Sequence, residues 1–426
     1  MSRTDKAAFG VRVAGSAGVT DLEPPPPRAA SDRLRIGLLA APMEQVPPVA
    51  YGGTERIVGT LAAELSRRGH HVTLFASADS RAACALEPIA PQALWAAGYR
   101  GDVSAFLLSA VAQAWEQAER FDIIHSHVEA FGFLMARHCS TPVLSTLHGR
   151  LDRDGMPELL DRFSDIPLVA ISTSQRRWAP HANWVATIHH GLALEHMPFA
   201  DDPGEYLLLV GRAAPEKGVA EAIELARRVG LPLKMVMKVH DPAEMELFER
   251  DVRPAVDVGV VDFLGELSPD ERDPLYAGAR ATLMLGSWPE PFGLVAIESL
   301  ATGTPVIARR GGALPEIVEH GRDGYLVDDL SEAELAVRLV SALDRADIRR
   351  RALQRFSAAR MAADYERTYL RLLQRAAEPR VHTRAAASTV PTLLPVGVRS
   401  PVAAISHVPH EDVVLRGCQG IIDAVE

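Results

Sequence analysis

Between residues 34 and 376 the chain alternates short apolar runs with longer stretches of helical period. Residues 35–41 are apolar and closed by Pro42, the pattern of a buried strand. A loop with Pro47, Pro48, Gly52 and Gly53 follows. Residues 54–68 then set Ile57, Leu61, Ala62 and Leu65 on one helical face, and Gly69 ends the helix. Residues 72–76 are the next apolar run. Strand, glycine loop, helix and strand in that order predict a βαβ unit on a parallel sheet. Further strands are expected at 123–125, 143–147 and 168–171, and a helix at 105–119.

The same order then recurs. Residues 206–210 read as a strand, 211–218 as a loop, 219–228 as a helix and 233–239 as a strand. Strands at 261–264, 281–285 and 305–307 continue it. Two doubly wound, Rossmann-like α/β domains are therefore expected, 34–196 and 205–356. The stretch 196–204, with two prolines and two aspartates, is the expected hinge. Helices are expected at 331–343 and 347–374. Residues 1–33, which end in a four-proline run, and residues 377–426 have no period and are expected to be disordered or irregular tails.

Composition narrows the function. Among 426 residues, 45 Lys and Arg against 55 Asp and Glu leave a net charge of -10, which argues against a nucleic-acid binder. No apolar run has the length of a membrane span. Arg3 and Lys6 are not followed by the apolar stretch of a secretory leader. The three cysteines, Cys84, Cys139 and Cys418, cannot all pair, and no C-x-x-C occurs. A cytoplasmic protein is expected. Nine arginines between 345 and 375 have two readings. One is a peripheral contact with an anionic membrane face. The other is a solvated face balanced by Asp347, Asp364 and Glu366.

Candidate chemistry lies in the loops. In 287–308, Pro291 and Gly293 precede an amphipathic stretch that begins at Leu294. The free amides of Phe292, Gly293 and Leu294 at that helix start form an anion site, flanked by Glu290 and Glu298. Carboxylates beside an anion site suit a polyhydroxylated, phosphorylated ligand. Alternatively they are a helix-entry glutamate and a surface one. The loop GRAAPEKG brings Arg212 and Lys217 to a strand's carboxyl end, where two cations would neutralise a diphosphate. Gly52 and Gly53 occupy the equivalent place in the first domain, and Gly311-Gly312 follows a later strand. Each pair allows close approach of a ligand or forms a tight turn. His148 follows a strand and would face the cleft. His125 and His127 approach a ligand or cap the sheet. Asp152 and Asp154 resemble a metal-holding pair but read best as a solvated turn, and no set of metal-ligand spacing is present.

Together these segments resemble the retaining nucleotide-sugar glycosyltransferases of the GT-B fold, the large family numbered four. The resemblance covers about residues 34–375. It rests on GRAAPEKG, on VDFLGELSPDERDPLYAGARATLMLGSWPEPFG, on LVAIESLATGTPVIARRGGALPEIVEHGRDGYLV, and on YGGTERIVGTLAAELSRRGHHVTLFA near the start. It implies that Arg212 and Lys217 bind the donor diphosphate and that Glu298 meets the ribose hydroxyls. Glu290 would contact the transferred sugar, with the amides of Phe292, Gly293 and Leu294 on sugar and phosphate. His148 would lie beside the reacting sugar, and Gly52 and Gly53 would close over the phosphate. A helix at 357–376 would cross back to the first domain. The implied donor is a nucleoside-diphosphate sugar. No cofactor or metal is expected, and the acceptor is a glycan, lipid or small molecule. His190-Gly191 stands where the family often has Asn-Gly, and residues 238–241 replace its glycine-rich turn. Two other functions share the fold and motifs: nucleotide-sugar epimerase or phosphorylase, and non-catalytic sugar-nucleotide binder.

Overall fold

The structure is a computed structural model describing residues 33–49, 52–202 and 204–377. The two expected tails fall almost wholly outside the described residues. The first sheet has seven strands: β1 (Arg35–Leu39), β2 (His71–Ser77), β3 (Ala85–Ala90), β4 (Ile123–Ser126), β5 (Val143–Leu147), β6 (Leu168–Ala170) and β7 (Trp184–Thr187). The second has six: β8 (Leu207–Arg212), β9 (Leu233–Lys238), β10 (Val261–Gly265), β11 (Ala281–Met284), β12 (Val306–Arg309) and β13 (Gly324–Val327). Strand orders are β3-β2-β1-β4-β5-β6-β7 and β10-β9-β8-β11-β12-β13, parallel throughout. These are the two doubly wound lobes that the repeated pattern predicts, in the GT-B arrangement that the resemblance implies.

The helices that matter to the site are α1 (Gly53–Arg67), α2 (Ser104–Glu116), α3 (Val219–Val229), α4 (Pro269–Ala277), α5 (Leu294–Ala301), α6 (Leu330–Leu339), α7 (Arg345–Arg355) and α8 (Ala358–Ala377). On α1, Ile57, Leu61, Ala62 and Leu65 are fully buried against the first sheet, as their spacing requires. All five residues of β5 are buried, the mark of a parallel strand covered on both faces.

Three strands escape the periodicity reading. β3 carries Pro88 and pairs with β2 alone, so it is an edge strand where a missing amide costs no ladder bond. β7 and β13 have four residues each and also lie at edges, too short to show a period.

The expected continuous helix 347–374 is instead two, α7 and α8. At the break the Leu192 amide donates to the Phe356 carbonyl at 3.0 Å, and the Ala358 amide donates to the Leu192 carbonyl at 2.9 Å. The chain leaves the helix to pair with the segment that follows the first sheet, and α8 then packs on α1. Arg68 and His70 of the first lobe reach Glu366 there.

The solvated-face reading of the arginine run holds only in part. Arg345 donates to the carbonyls of Ala200, Ala277 and Ala279, and Arg349 to those of Met197 and Ala301. Arg351 and Arg355 share Asp323, and Arg360 holds the carbonyls of His189 and His190. These cations tie the hinge and the helix break together. Arg350 and Arg367 do balance Asp347 and Asp364. No helix among the described residues is long and apolar enough to cross a membrane.

Candidate active site

Each sheet reverses its strand order at one point. β1 lies between β2 and β4, and β8 lies between β9 and β11. Chains leaving neighbouring strands on opposite sides open a crevice at the carboxyl ends, where doubly wound folds take ligands. The two crevices meet in one cavity of about 210 Å³, and all ten site residues named from the sequence line it.

On the second lobe the wall is ionic. Arg212 is the last residue of β8 rather than part of the loop, and lies 3.5 Å from the carboxylates of Glu216 and Glu244. Lys217 Nζ donates to Glu290 Oε1 at 2.6 Å. Two close backbone approaches hold these loops. A Cβ on Gly286 would stand 1.9 Å from the Glu216 carbonyl oxygen, so the Lys217 loop and the loop entering Trp288 touch through glycine. Gly312, at φ 53°, lies under Glu290, and a Cβ there would be 2.4 Å from the Glu290 carbonyl oxygen. That is the role of the Gly311-Gly312 pair: a tight turn that supports Glu290. The next amide, of Ala313, donates to the same carbonyl at 2.8 Å.

α5 starts at Leu294 with Gly293 before it at φ 110°. The Phe292 ring is buried, 4.9 Å from that of His190, which leaves the backbone of this turn toward the cavity. Opposite stands the start of α1. A Cβ on Gly53 would meet Leu294 Cδ1 at 3.3 Å, so two helix N-termini, one per lobe, face each other. Both dipoles favour an anion between them.

Glu298 differs most from expectation. It is 2% exposed, and its Oε1 lies 2.5 Å from Arg56 of α1 and 3.0 Å from Arg272 of α4. Tyr276 donates to its Oε2 at 3.0 Å. Burial alone would raise this carboxyl, but the Arg56 and Arg272 guanidinium groups outweigh it and hold it below its ordinary range. Thus the expected free cations and free carboxylates are largely paired with one another, as buried charges must be. Arg56 makes the pairing a bridge across the cleft. Arg150 of the first lobe also crosses it, 4.5 Å above the Trp288 ring.

On the first lobe the wall is built of imidazoles. His125, His127, His148 and His190 are all buried. Successive ring centroids lie 4.0, 5.2 and 5.2 Å apart. His127 Nδ1 is 2.9 Å from His148 Nε2. His125 bonds Tyr369 of α8 and Thr146, both at 2.8 Å. His125 and His127 therefore line up behind His148 rather than capping the sheet. Burial pushes the His148 imidazole down to about 3 and the other three well below the usual histidine range. All four are neutral at pH 7.

Glu129 fixes the loop that carries His148. Its Oε1 accepts from the His148 amide at 2.9 Å and the Gly149 amide at 3.1 Å. It is the one described non-glycine residue with a left-handed backbone, φ 48°. Burial raises its carboxyl to about 7, against the pull of the two amides and Arg153. Asp152 is ion-paired with Arg150. No group of three or more His, Cys, Asp or Glu among the described residues is arranged to hold a metal ion.

Sequence reasoning missed Arg56, Arg272, Tyr276 and Glu129. Arg56 had a signal, since it follows Gly53 by one helical turn. Glu129 had none, because a carboxylate that serves two distant amides leaves no local pattern.

Comparison with known proteins agrees with this fold. Residues 51–195 match the family described as Glycosyltransferase Family 4, and residues 198–356 match Glycosyl transferases group 1. The chain is 27% identical over 380 residues to D-inositol 3-phosphate glycosyltransferase of Mycolicibacterium smegmatis, covering 76% of this chain and 85% of that one. It is 27% identical over 377 residues to glycogen synthase of Mycobacterium tuberculosis, covering 76% and 89%. Among solved structures, AviGT4, a glycosyltransferase involved in avilamycin A biosynthesis, superposes with a TM-score of 0.62 at 23% identity, over 80% of this chain and 98% of that one. HepE of Anabaena, solved with UDP-glucose, superposes with a TM-score of 0.62 at 18% identity, over 79% and 99%.

Proposed function

The chain belongs to the group 1 glycosyltransferases of GT-B fold, and from that premise we propose that it moves a sugar from a nucleoside-diphosphate sugar to an acceptor hydroxyl with retention at the anomeric carbon. One observation carries the reading. Arg212, Lys217 and the start of α5 converge at the second sheet's switch point, opposite the start of α1. HepE, of like fold, binds UDP-glucose, which supports a nucleotide-sugar donor.

In this reading the diphosphate lies between the two helix N-termini. Lys217 exchanges Glu290 for phosphate, and Arg212 adds a second cation. Glu290, so released, accepts hydrogen bonds from the sugar hydroxyls. Glu298 accepts from the ribose, with Arg272 and Tyr276 keeping it charged and oriented. His148 lies beside the sugar. The bond from the anomeric carbon to the phosphate oxygen breaks, and its electron pair stays on that oxygen. The acceptor oxygen attacks the same face, and its proton passes to the departing phosphate. Arg212, Lys217 and the amides carry the charge that develops, so the scheme needs no metal or covalent enzyme intermediate. One relative is named for D-inositol 3-phosphate and another for glycogen. The acceptor is therefore sought in a screen of glycans, lipids and small polyols.

The test is incubation with UDP-, ADP- and GDP-glucose and that acceptor pool, with the product's anomeric configuration read by proton NMR. An α-linked product is expected. A β-linked product would overturn retention, and epimerised donor without transfer would overturn the reaction class.

A further inference from the structure

One carboxylate of the second lobe finds its hydrogen-bond partners in the first. Glu316 lies on the short helix Leu314–Ile317. Its Oε2 accepts from the Thr173 amide at 2.8 Å and lies 3.0 Å from His189 Nε2, and its Oε1 accepts from the Ser174 amide at 2.7 Å. Thr173 and Ser174 begin the helical turn Thr173–Arg176 that follows β6. The first amides of a helix have no partner inside it. Here Ser172 serves the Gln175 amide from within the lobe, and the two amides before it are served from the other lobe. Burial alone would raise the Glu316 carboxyl. His189 and the two amides outweigh it and hold the group below its ordinary range.

Each end of this contact leads to the cavity. On the second lobe, the Glu316 amide donates to the Ala313 carbonyl and the Ala313 amide to the Glu290 carbonyl, both at 2.8 Å. On the first lobe, His189 precedes His190, whose ring stacks on that of His148 at 5.2 Å. The break between α7 and α8 holds both backbones. Arg355 of α7 donates to the Glu316 carbonyl at 2.7 Å, and Arg360 of α8 to the His189 carbonyl at 2.8 Å. The Glu316 side chain thus completes a run of contacts from Glu290 on one wall of the cavity to His148 on the other.

We propose that Glu316 is a positioning residue that sets the two lobes in register around the transferred sugar, by tying the Glu290 loop to the first lobe beside the His148–His190 wall. The sugar site is the one proposed above, and this step rests on it. In that reading the sugar lies between Glu290 and His148, one group from each lobe, so its orientation depends on how the lobes are aligned. The nucleotide depends on it less. The start of α1 aside, its contacts, Arg212, Lys217, Glu298 and the start of α5, all belong to the second lobe. Loss of Glu316 should therefore slow transfer while the nucleotide still binds.

The experiment compares the full chain with Glu316→Ala, which removes all three contacts, and with Glu316→Gln, which keeps one accepting oxygen. With the best donor from the screen above, kcat should fall on the order of 10- to 100-fold in Glu316→Ala, the effect of a misplaced reacting group. Glu316→Gln should lie between it and the wild type. The nucleoside diphosphate of that donor should bind all three within about threefold. Amide hydrogen exchange without any nucleotide should quicken about tenfold or more at Thr173 and Ser174 in Glu316→Ala, and also at Ala313 behind Glu290. A helix cap of purely local effect would free Thr173 and Ser174 alone. That result overturns the proposal, as does a full rate in Glu316→Ala. Nucleoside-diphosphate affinity that falls as far as the rate also overturns it, since the site is then lost as a whole. If Glu316→Ala does not fold, Glu316→Gln carries the same comparison with smaller shifts. If no sugar nucleotide binds or reacts, the donor reading fails, while exchange at Ala313 still decides whether Glu316 ties the Glu290 loop to the first lobe.

Discussion

The two walls of the cleft solve the same problem by opposite means. The second lobe faces the cavity with full charges, each held by a counter-charge: Lys217 by Glu290, Arg212 by Glu216 and Glu244, and Arg272 by Glu298. The first lobe faces it with His148 and His190, backed by His125 and His127, imidazoles that burial keeps neutral, and by one glutamate raised to about 7. Ionic pairs can open and re-form on a charged ligand. A neutral stack held by Tyr369, Thr146 and Glu129 keeps its shape. The contrast assigns charge neutralisation to the second lobe and orientation to the first. Arg56 and Arg150 are the exceptions, first-lobe cations that reach Glu298 and the Trp288 ring of the second lobe.

The largest effect that would break this contrast is acid. An imidazole lowered by folding keeps its stabilising effect above the unfolded value of about 6.5 and loses it as pH falls below that. Each such group costs up to about 1.4 kcal/mol per pH unit. Glu129 acts the other way, since its raised carboxyl binds a proton in the native state between about 4.5 and 7. Four imidazoles against one carboxyl leave a net loss of about 4 kcal/mol per unit. Circular dichroism against pH should show cooperative unfolding between about pH 6 and 4, within the usual stability of a domain. Retention of native signal at pH 4 would mean that the stack is not held neutral.

The ionic wall breaks through Glu298. Glu298→Ala leaves buried Arg272 with Asp273 alone and the Tyr276 hydroxyl without its acceptor, and should cost about 3 kcal/mol, seen in urea unfolding. Glu298→Gln keeps the Tyr276 hydrogen bond and should cost less. An unfolding midpoint unchanged in both would show that Arg272 is not dependent on this carboxylate. A subtler change is Glu129→Gln. It removes one titrating group, so the variant should gain up to about 3 kcal/mol relative to wild type as pH rises from 4.5 past 7. A constant difference across that range would count against the raised carboxyl. The smallest effect is expected at Arg56→Met. The substitution leaves buried Glu298 with Arg272 and Tyr276 and should cost about 1–2 kcal/mol. A loss comparable to that of Glu298→Ala would make Arg56 part of the buried network rather than a contact between walls.

Much of this was legible before the structure. The ten site residues share one cavity because all but Glu298, one turn into α5, lie in a strand's carboxyl end, the loop that follows it or a helix start, and such places can be read from apolar runs and glycines. β1, β5 and α1 were clear for the same reason. What escaped was long-range or short. β7 and β13 are four-residue edge strands without a period. The break at Phe356 and Ser357 exists because Leu192, far away in sequence, pairs with it. His127, His148 and His190 were visible one by one. Their stacking depends on the order of β4, β5, β6 and β7 in the sheet, which local pattern does not encode. The pairing of Arg56 with Glu298 needs the two lobes to meet.

The central claim is that the ionic wall is a sugar-nucleotide site. Calorimetric titration of the full chain with UDP-glucose, ADP-glucose and GDP-glucose, beside Lys217→Ala, tests it most directly. The account predicts saturable binding of at least one donor by the wild type, weakened roughly 100-fold or more by the substitution, about the worth of a charge-assisted contact to phosphate. Binding that is equally tight in Lys217→Ala, or no binding of any sugar nucleotide by the wild type, would contradict it.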